Sequence, residues 1–426
     1  MARSYLWALG GSVATALAQW VVLIVLARNG SAHQVGQYVL GLSIASPIAL
    51  FLSLGLRTIV ATDHDGRVHP GTYLTLRLAT AAMSLLVILG VTLIGGFDRM
   101  TSWVVLFVGL AKCIELFAEL GSGFLQRSGR MDVVGRVLVG KHAVTTLAAL
   151  GVMLYTGSVL WTVGVLAATS VLSLLVLEVP VWKRYARLPV ESLRLRWRLQ
   201  EHRALIRTAA PLGMAAGLIS LHVNLPRYVM ERSHGTAVLG LFGALTQLAI
   251  AVSLVLIAAG HIALPRLAAS LARGRYDEFR RIQRRLFLVA SALGVTGIAG
   301  AWLLGEPALG IVYGPAYAAA SPVLVVLMVW AALGYFAYVL FLGLAAFQMF
   351  GQQLGVYVAS LVVTGSAALI MVPGGGGVGA AWAMVAGAAV QIVAFGFLLH
   401  GRLSVPPMET PARQPTRTPV GVARDA

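Results

Sequence analysis

Charge is what this sequence has least of. Only 11% of its 426 residues are charged, against 58% hydrophobic, and the mean hydropathy is +0.85. That is too little polar surface to clothe a water-soluble globule, so lipid is the expected solvent. Cysteine is nearly absent as well: Cys113 stands alone in an apolar run, which excludes a disulfide framework and a cysteine-rich metal site. The acidic residues number 15 against 32 basic ones, leaving a net charge of +17. In a soluble chain that excess would suggest nucleic acid, but no basic tail with interleaved aromatics is present. The glycine-rich stretch Pro373–Gly379 lacks the Lys-Ser/Thr pair of a phosphate-binding loop and reads as a turn.

What is there is apolar length. A spanning helix needs about 20 mainly apolar residues. Twelve runs approach or exceed that length: Leu6–Leu26, Tyr38–Leu56, Leu74–Ile94, Trp103–Leu125, Val133–Tyr155 and Val159–Val181, then Leu205–Met230, Val238–Leu264, Leu286–Leu304, Pro322–Leu344, Val356–Val372 and Ala380–Leu399. The first run continues past a possible cleavage site at Ala16-Leu17-Ala18, so it reads as a retained helix and not as a signal peptide. The expected class is all-α, polytopic in the membrane.

The basic residues supply an orientation. With the N-terminus placed inside, 26 of the 32 lysines and arginines fall on the cytoplasmic side, Arg77 counted among them. Four (Arg28, Arg99, Arg227, Arg232) lie toward the outside, and Lys112 and Lys141 fall within helices. Basic loops resist translocation, so both termini are expected in the cytoplasm and the net charge faces the anionic inner leaflet. A bacterial plasma membrane is the expected location.

The polar stretch Trp182–Arg203 divides the runs into two sets of six. This predicts an N-terminal six-helix bundle over 1–181, a basic cytoplasmic linker over 182–204, a C-terminal bundle over 205–400 and a disordered cytoplasmic tail over 401–426. The linker is either a solvated connector or an amphipathic surface helix carrying Leu193, Leu195, Trp197 and Leu199. A weak repeat supports the division. Setting Gly36-Gln37-Tyr38 against Gly240-Leu241-Phe242 puts Arg57 opposite His261 and Arg28 opposite Arg232 without a gap. Halves of six helices enter the membrane in one direction, so the expected relation is a pseudo-two-fold along the membrane normal.

An ionisable group in hydrocarbon costs about 2.5–3.5 kcal/mol even on lenient scales, so each one demands a partner or a wet cavity. The seventh run holds His222, Asn224, Pro226 and Arg227. Pro226 removes a backbone donor from the carbonyl of His222, and the cluster is expected to line a polar passage. The alternative is that Arg227 snorkels to the outer interface. In the fourth and fifth runs Lys112, Glu115 and Glu119 share a helical face, and Lys141 and His142 fall at overlapping depth. Two readings stand side by side: inter-helix pairing, or H+ or Na+ coupling through a carboxylate. Arg57 and His261 close corresponding helices, as a basic entrance or as interface anchors. The triplet Asp63-His64-Asp65 invites a glycosyltransferase-type metal, but nothing around it resembles a nucleotide-binding domain and it reads as a solvated loop. No cofactor and no metal are expected.

Five stretches together carry a family shape: Gly36-Gln37-Tyr38, LSLGLR at Leu52–Arg57, NLPRY at Asn224–Tyr228, ALPRLA at Ala263–Ala268 and IVYGPAYAAASPVL at Ile311–Leu324. Their order, with twelve runs and a central hinge, resembles the polysaccharide transport family of oligosaccharide flippases, within the multidrug/oligosaccharidyl-lipid/polysaccharide exporter superfamily. The resemblance implies a V-shaped pair of bundles alternating between inward-open and outward-open states. It implies a polyprenyl-diphosphate-linked oligosaccharide as substrate, a cationic cavity to which Arg57 and Arg227 are carried over, and no enzymatic step. Polysaccharide polymerase or ligase partners would accompany such an exporter. Competing readings are a drug/cation antiporter of the same superfamily and, lacking the long outer loop it would need, a membrane glycan polymerase or ligase.

Overall fold

The computed structural model describes residues 2–63, 66–186, 188 and 194–404. His64, Asp65, Arg187, Leu193 and the expected tail beyond 404 lie outside the described residues. The helices are α1 (Ala2–Asn29), α2 (Ala32–Ser53), α3 (Leu56–Thr62), α4 (Pro70–Ile94), α5 (Arg99–Arg127), α6 (Met131–Thr156) and α7 (Val159–Ser173). A π segment, Leu174–Glu178, leads into α8 (Val179–Tyr185). Then follow α9 (Leu199–Ala272), α10 (Tyr276–Val312), α11 (Pro315–Ala318), α12 (Ser321–Ala346) and α13 (Phe350–Ser404). Nine continuous helical stretches among the described residues are long and apolar enough to cross a membrane.

Two of these stretches are too long for one crossing. At 1.5 Å per residue, the 74 residues of α9 would reach about 110 Å, several bilayer cores end to end. Each is broken at one glycine: Gly235 in α9 (φ 80°, ψ 173°) and Gly376 in α13 (φ 50°, ψ −130°). Both values are open to glycine and strained for residues with a Cβ. The contacts with α2 show α9 turning back. Gly213 and Gly217 meet Phe51 at the far end of α2, Tyr228 donates to the carbonyl of Ser43, and Thr236 meets Gly36; beyond the break Gly243 meets Val39. The turn expected over Pro373–Gly379 thus contracts to a single non-helical residue. Gly379 lies so close to Met371 that a Cβ there would sit 2.0 Å from its carbonyl oxygen.

Helix ends follow their sequences. Ser31 caps α2 with a full capping box to Gln34. Asp98 caps α5, accepting from the N–H groups of Met100 (2.8 Å) and Thr101 (2.9 Å) and from the Thr101 hydroxyl. Burial opposes ionisation of Asp98, but those hydrogen bonds outweigh it and hold the carboxyl below its usual range. At α4, His69 accepts the N–H of Gly71 at 3.1 Å; burial, then the charge of Arg196, keeps its imidazole below the ordinary value. The short α3 is separated from α2 by two left-handed residues, Leu54 and Gly55, so Arg57 starts a new element.

The two lobes meet along a seam of small residues between α2 and α9. A Cβ on Gly36 would lie 1.8 Å from the carbonyl oxygen of Thr236, and one on Gly240 would lie 2.3 Å from that of Ala32. These contacts are reciprocal in the register of the sequence repeat, where Ala32 corresponds to Thr236 and Gly36 to Gly240. Val39 and Gly243, a further corresponding pair, touch each other directly. Reciprocity of this kind marks a two-fold axis, so the pseudo-symmetry axis passes through this seam. Without hydrophobic drive between helices in lipid, such close backbone approach is what holds them together.

Three differences from expectation concern elements. The last helix runs to Ser404, past Leu399, and α10 begins ten residues before Leu286. Residues 195–198 are not helical, and Arg198 is extended (φ −128°, ψ 99°), so no amphipathic helix spans Leu195, Trp197 and Leu199. Arg77 is no loop residue: α4 starts at Pro70, which places it two turns inside the helix and fully buried.

Candidate functional site

Polar side chains inside the helices gather in four places. On the lobe seam, Arg227 donates to Asn224 Oδ1 at 2.8 Å and approaches Ser43 Oγ at 3.4 Å, while the Tyr228 hydroxyl donates to the Ser43 carbonyl. Ser43 lies eleven residues into α2, about 16 Å from its start. Arg227 is therefore buried against the other lobe and does not snorkel to the near interface. Its Nε has no hydrogen-bond partner among the described residues.

His222, one turn back, faces elsewhere. Its Nε2 lies 2.9 Å from Thr364 Oγ1 and 3.0 Å from Ser360 Oγ; Ser360 donates to the Gly387 carbonyl and accepts from Gln391. This uncharged network ties α9 to both legs of α13. The cluster expected around Pro226 is thus two clusters, because residues 222 and 224 project from nearly opposite sides of a helix. His261, near the end of α9, is exposed and has no described contact with Arg57.

The N-terminal lobe encloses a cavity of about 100 Å³ between α1, α2, α5, α6 and α7. Gln19, Tyr38, Lys112, Glu115, Lys141, His142 and Ser170 are among its walls. Lys112 pairs with Glu115 on its own helix at 2.8 Å. Lys141 does not pair with Glu115 or Glu119, as overlapping depth had suggested. It bridges to Glu178 at 2.9 Å, with both side chains under 5% exposed. Glu178 is the residue sequence reasoning missed: it sits in the π segment, and only the packing of α6 on that segment reveals the pair.

The fourth place is the base of that lobe. Helices α4 and α5 run antiparallel in a fixed register: Tyr73 stacks edge-on with Phe124 (6.3 Å between centroids), Ser84 reaches Cys113, and Ile88 packs on Gly109. That register puts Arg77 opposite Leu120, beside Glu119. All three guanidinium nitrogens of Arg77 lack hydrogen-bond partners among the described residues. The cations whose charges act on Glu119 are Arg77, then Arg57, then Lys112. The backbone of Arg57 lies over Gly123, one turn beyond Glu119 on α5. Two arginines from separate helices thus flank one carboxylate. Asp63 fastens the loop below, accepting from the N–H groups of Arg67 and Val68 and from the Tyr73 hydroxyl. No group of three or more metal-ligating side chains occurs among the described residues.

The halves are also tied at the arginine-poor side of the molecule. Arg28 of α1 donates to the carbonyls of Ile311 and Val312 at the end of α10. Trp20 Nε1 donates to Tyr313 Oη at 2.8 Å, and that hydroxyl donates to the Ala244 carbonyl at 3.1 Å. Gly314 (φ 107°) makes the turn that inserts Tyr313 and Tyr317.

Residues 1–270 match the family described as polysaccharide biosynthesis protein. The chain belongs to this family. Among curated relatives, the capsular polysaccharide biosynthesis protein CapF of Staphylococcus aureus is 22% identical over 329 residues, 77% of this chain and 81% of the relative. The fold of this polysaccharide biosynthesis protein is that of the MOP superfamily transporters. An inward-facing multidrug resistance MATE transporter superposes with a TM-score of 0.70 (15% identity, 91% of this chain and 94% of the other). The outward-facing conformation of such a transporter gives 0.61 (14% identity, 95% of each). The protein is a multi-pass membrane protein with the two lobes of that fold.

Proposed function

We propose that the chain is a flippase that moves a polyprenyl-diphosphate-linked oligosaccharide across the bacterial plasma membrane for surface polysaccharide assembly. Both termini are cytoplasmic in this reading, and twelve crossings form bundles over 1–181 and 205–400 joined by the linker at 182–204. The observation that carries it is a transporter fold, closed by Arg28, Trp20 and Tyr313 on the side opposite its basic loops, in a polysaccharide biosynthesis family. A diphosphate needs fixed positive charge in a wet cleft, and guanidinium offers it a bidentate fork. Arg57 at the basic-side end of the cleft takes the diphosphate first, His261 stands at the corresponding place of the other lobe, and Arg227 with Asn224 meets it at the seam. His222 braces the C-terminal lobe. No bond in the substrate changes, so no catalytic residue and no cofactor are required. Coupling to H+ or Na+ falls to the Lys112, Glu115, Glu119, Lys141 and His142 group. A polymerase or ligase takes the product on the outer face.

A drug/cation antiporter is the second reading, favoured by the carboxylate of Glu115 in the N-terminal cavity. That carboxylate is already neutralised by Lys112, and Lys141 adds no net negative charge, so an organic cation finds no uncompensated anion there. Vesicles carrying a labelled lipid-linked oligosaccharide separate the two. Transbilayer movement by the wild-type chain, abolished by Arg57→Ala at normal protein level, is the expected result. Movement of labelled cations without movement of the lipid-linked sugar establishes the antiporter.

A further inference from the structure

We propose that residues 194–199 form a docking ribbon for anionic phospholipid at the membrane surface. The sequence Arg194-Leu195-Arg196-Trp197-Arg198-Leu199 alternates strictly. Residues 195–198 are non-helical, Arg198 is extended and Leu199 opens α9, so along 195–198 the alternation sets Leu195 and Trp197 against Arg196 and Arg198. Among the described residues the apolar side chains are largely open: Leu195, Trp197 and Leu199 are 53%, 71% and 67% exposed, with one face of Trp197 against His202. The arginines are exposed too.

The backbone beneath them is held firmly. The N–H of Arg196 donates to Thr75 Oγ1 at 2.9 Å, and Arg194 passes so close to Gly71 that a Cβ there would lie 2.1 Å from its carbonyl oxygen. Thr72 donates to Glu201 at 2.8 Å, and the ring of Trp197 stacks on His202 at 5.8 Å. This clamp sets the depth. Thr75 lies in the second turn of α4, and exposed Leu78 is one turn further in, about 4.5 Å along the axis. The ribbon thus sits where hydrocarbon gives way to head groups, the level at which tryptophan partitions. Arg194 and Arg196 at that level complement phosphate oxygens, beside Arg198, which also pairs with Glu201 at 3.4 Å, and the apolar side chains have acyl carbon to enter. The ligand is a lipid of the surrounding bilayer, so the proposal stands whatever the chain transports.

A spin label at Trp197→Cys tests it, in the full chain carrying Cys113→Ser and reconstituted in nanodiscs. Collision with oxygen reports lipid contact, and collision with a nickel chelate reports water. The label is expected to favour oxygen over nickel several-fold more in discs with one third phosphatidylglycerol than in pure phosphatidylcholine discs, and an equal preference in both overturns the proposal. Changing Arg194, Arg196 and Arg198 to Gln is expected to reduce the docked population about a hundredfold and erase the difference between discs. A companion label at Leu78→Cys, oxygen-accessible in every disc, verifies the fold. Nickel access to position 197 in both disc types overturns the proposal. So does a label shielded from both reagents in both, which would mean that protein covers the ribbon.

Discussion

Two buried charges in the N-terminal lobe illustrate opposite solutions to the same cost. Lys141 and Glu178 neutralise each other at 2.9 Å, whereas Arg77 has no hydrogen-bond partner among the described residues and feels Glu119 through space. Removing one member of a buried pair leaves an uncompensated charge, a loss of roughly 3–5 kcal/mol, while replacing both is near neutral. Lys141→Met and Glu178→Leu are each expected to lower the melting temperature in detergent sharply, and the double variant to recover most of the loss. If the two losses simply add, the pair is not coupled. Sequence offered Lys141 as an intramembrane cation but not its partner. Glu178 lies near the end of its run and 37 residues away, so only helix packing brings the two together. Arg77 lies in the run Leu74–Ile94 and was counted with the cytoplasmic cations; the packing of α4 on α5 is what buries it.

Single glycines decide how the elements are arranged. Gly235 turns α9 back on itself with a backbone that a Cβ strains by about 1–3 kcal/mol. Gly235→Ala is expected to lower stability by that amount, measured by thermal unfolding, although nothing lies within 4 Å of the added carbon. Gly90→Ala, in the interior of α4 and equally uncrowded, is expected to be neutral or stabilising by up to about 1 kcal/mol. Equal effects at the two sites would show that conformation at Gly235 is not what matters. One chain reversal was readable locally, as the glycine-rich Pro373–Gly379 shows. The linker was not: it reads as a solvated connector or as an amphipathic surface helix, and the non-helical backbone anchored to Thr75 decides against the helix.

For the whole molecule, the ties on the arginine-poor side are the means of staying closed there. Tyr313 joins α1 to α9 through one hydroxyl that accepts from Trp20 and donates to Ala244. Tyr313→Phe removes both bonds, each worth about 1 kcal/mol net, and is expected to shift the population several-fold toward a state open on that side. A cysteine at Thr236, which now meets Gly36, reports this through faster reaction with a membrane-impermeant maleimide. An unchanged rate would mean that the small-residue seam alone sets the closed state.

Apolar length, the distribution of arginine and the weak repeat between Gly36 and Gly240 were enough to give an all-helical membrane chain with two related halves. Those properties are local or periodic, and lipid enforces them on any chain that carries them. Which polar groups meet was left to the tertiary structure. His222 turns to α13 and Arg227 to α2, Lys141 finds Glu178, and Tyr313 ties α1 to α9; each outcome depends on rotations of rigid helices that no stretch of sequence encodes by itself.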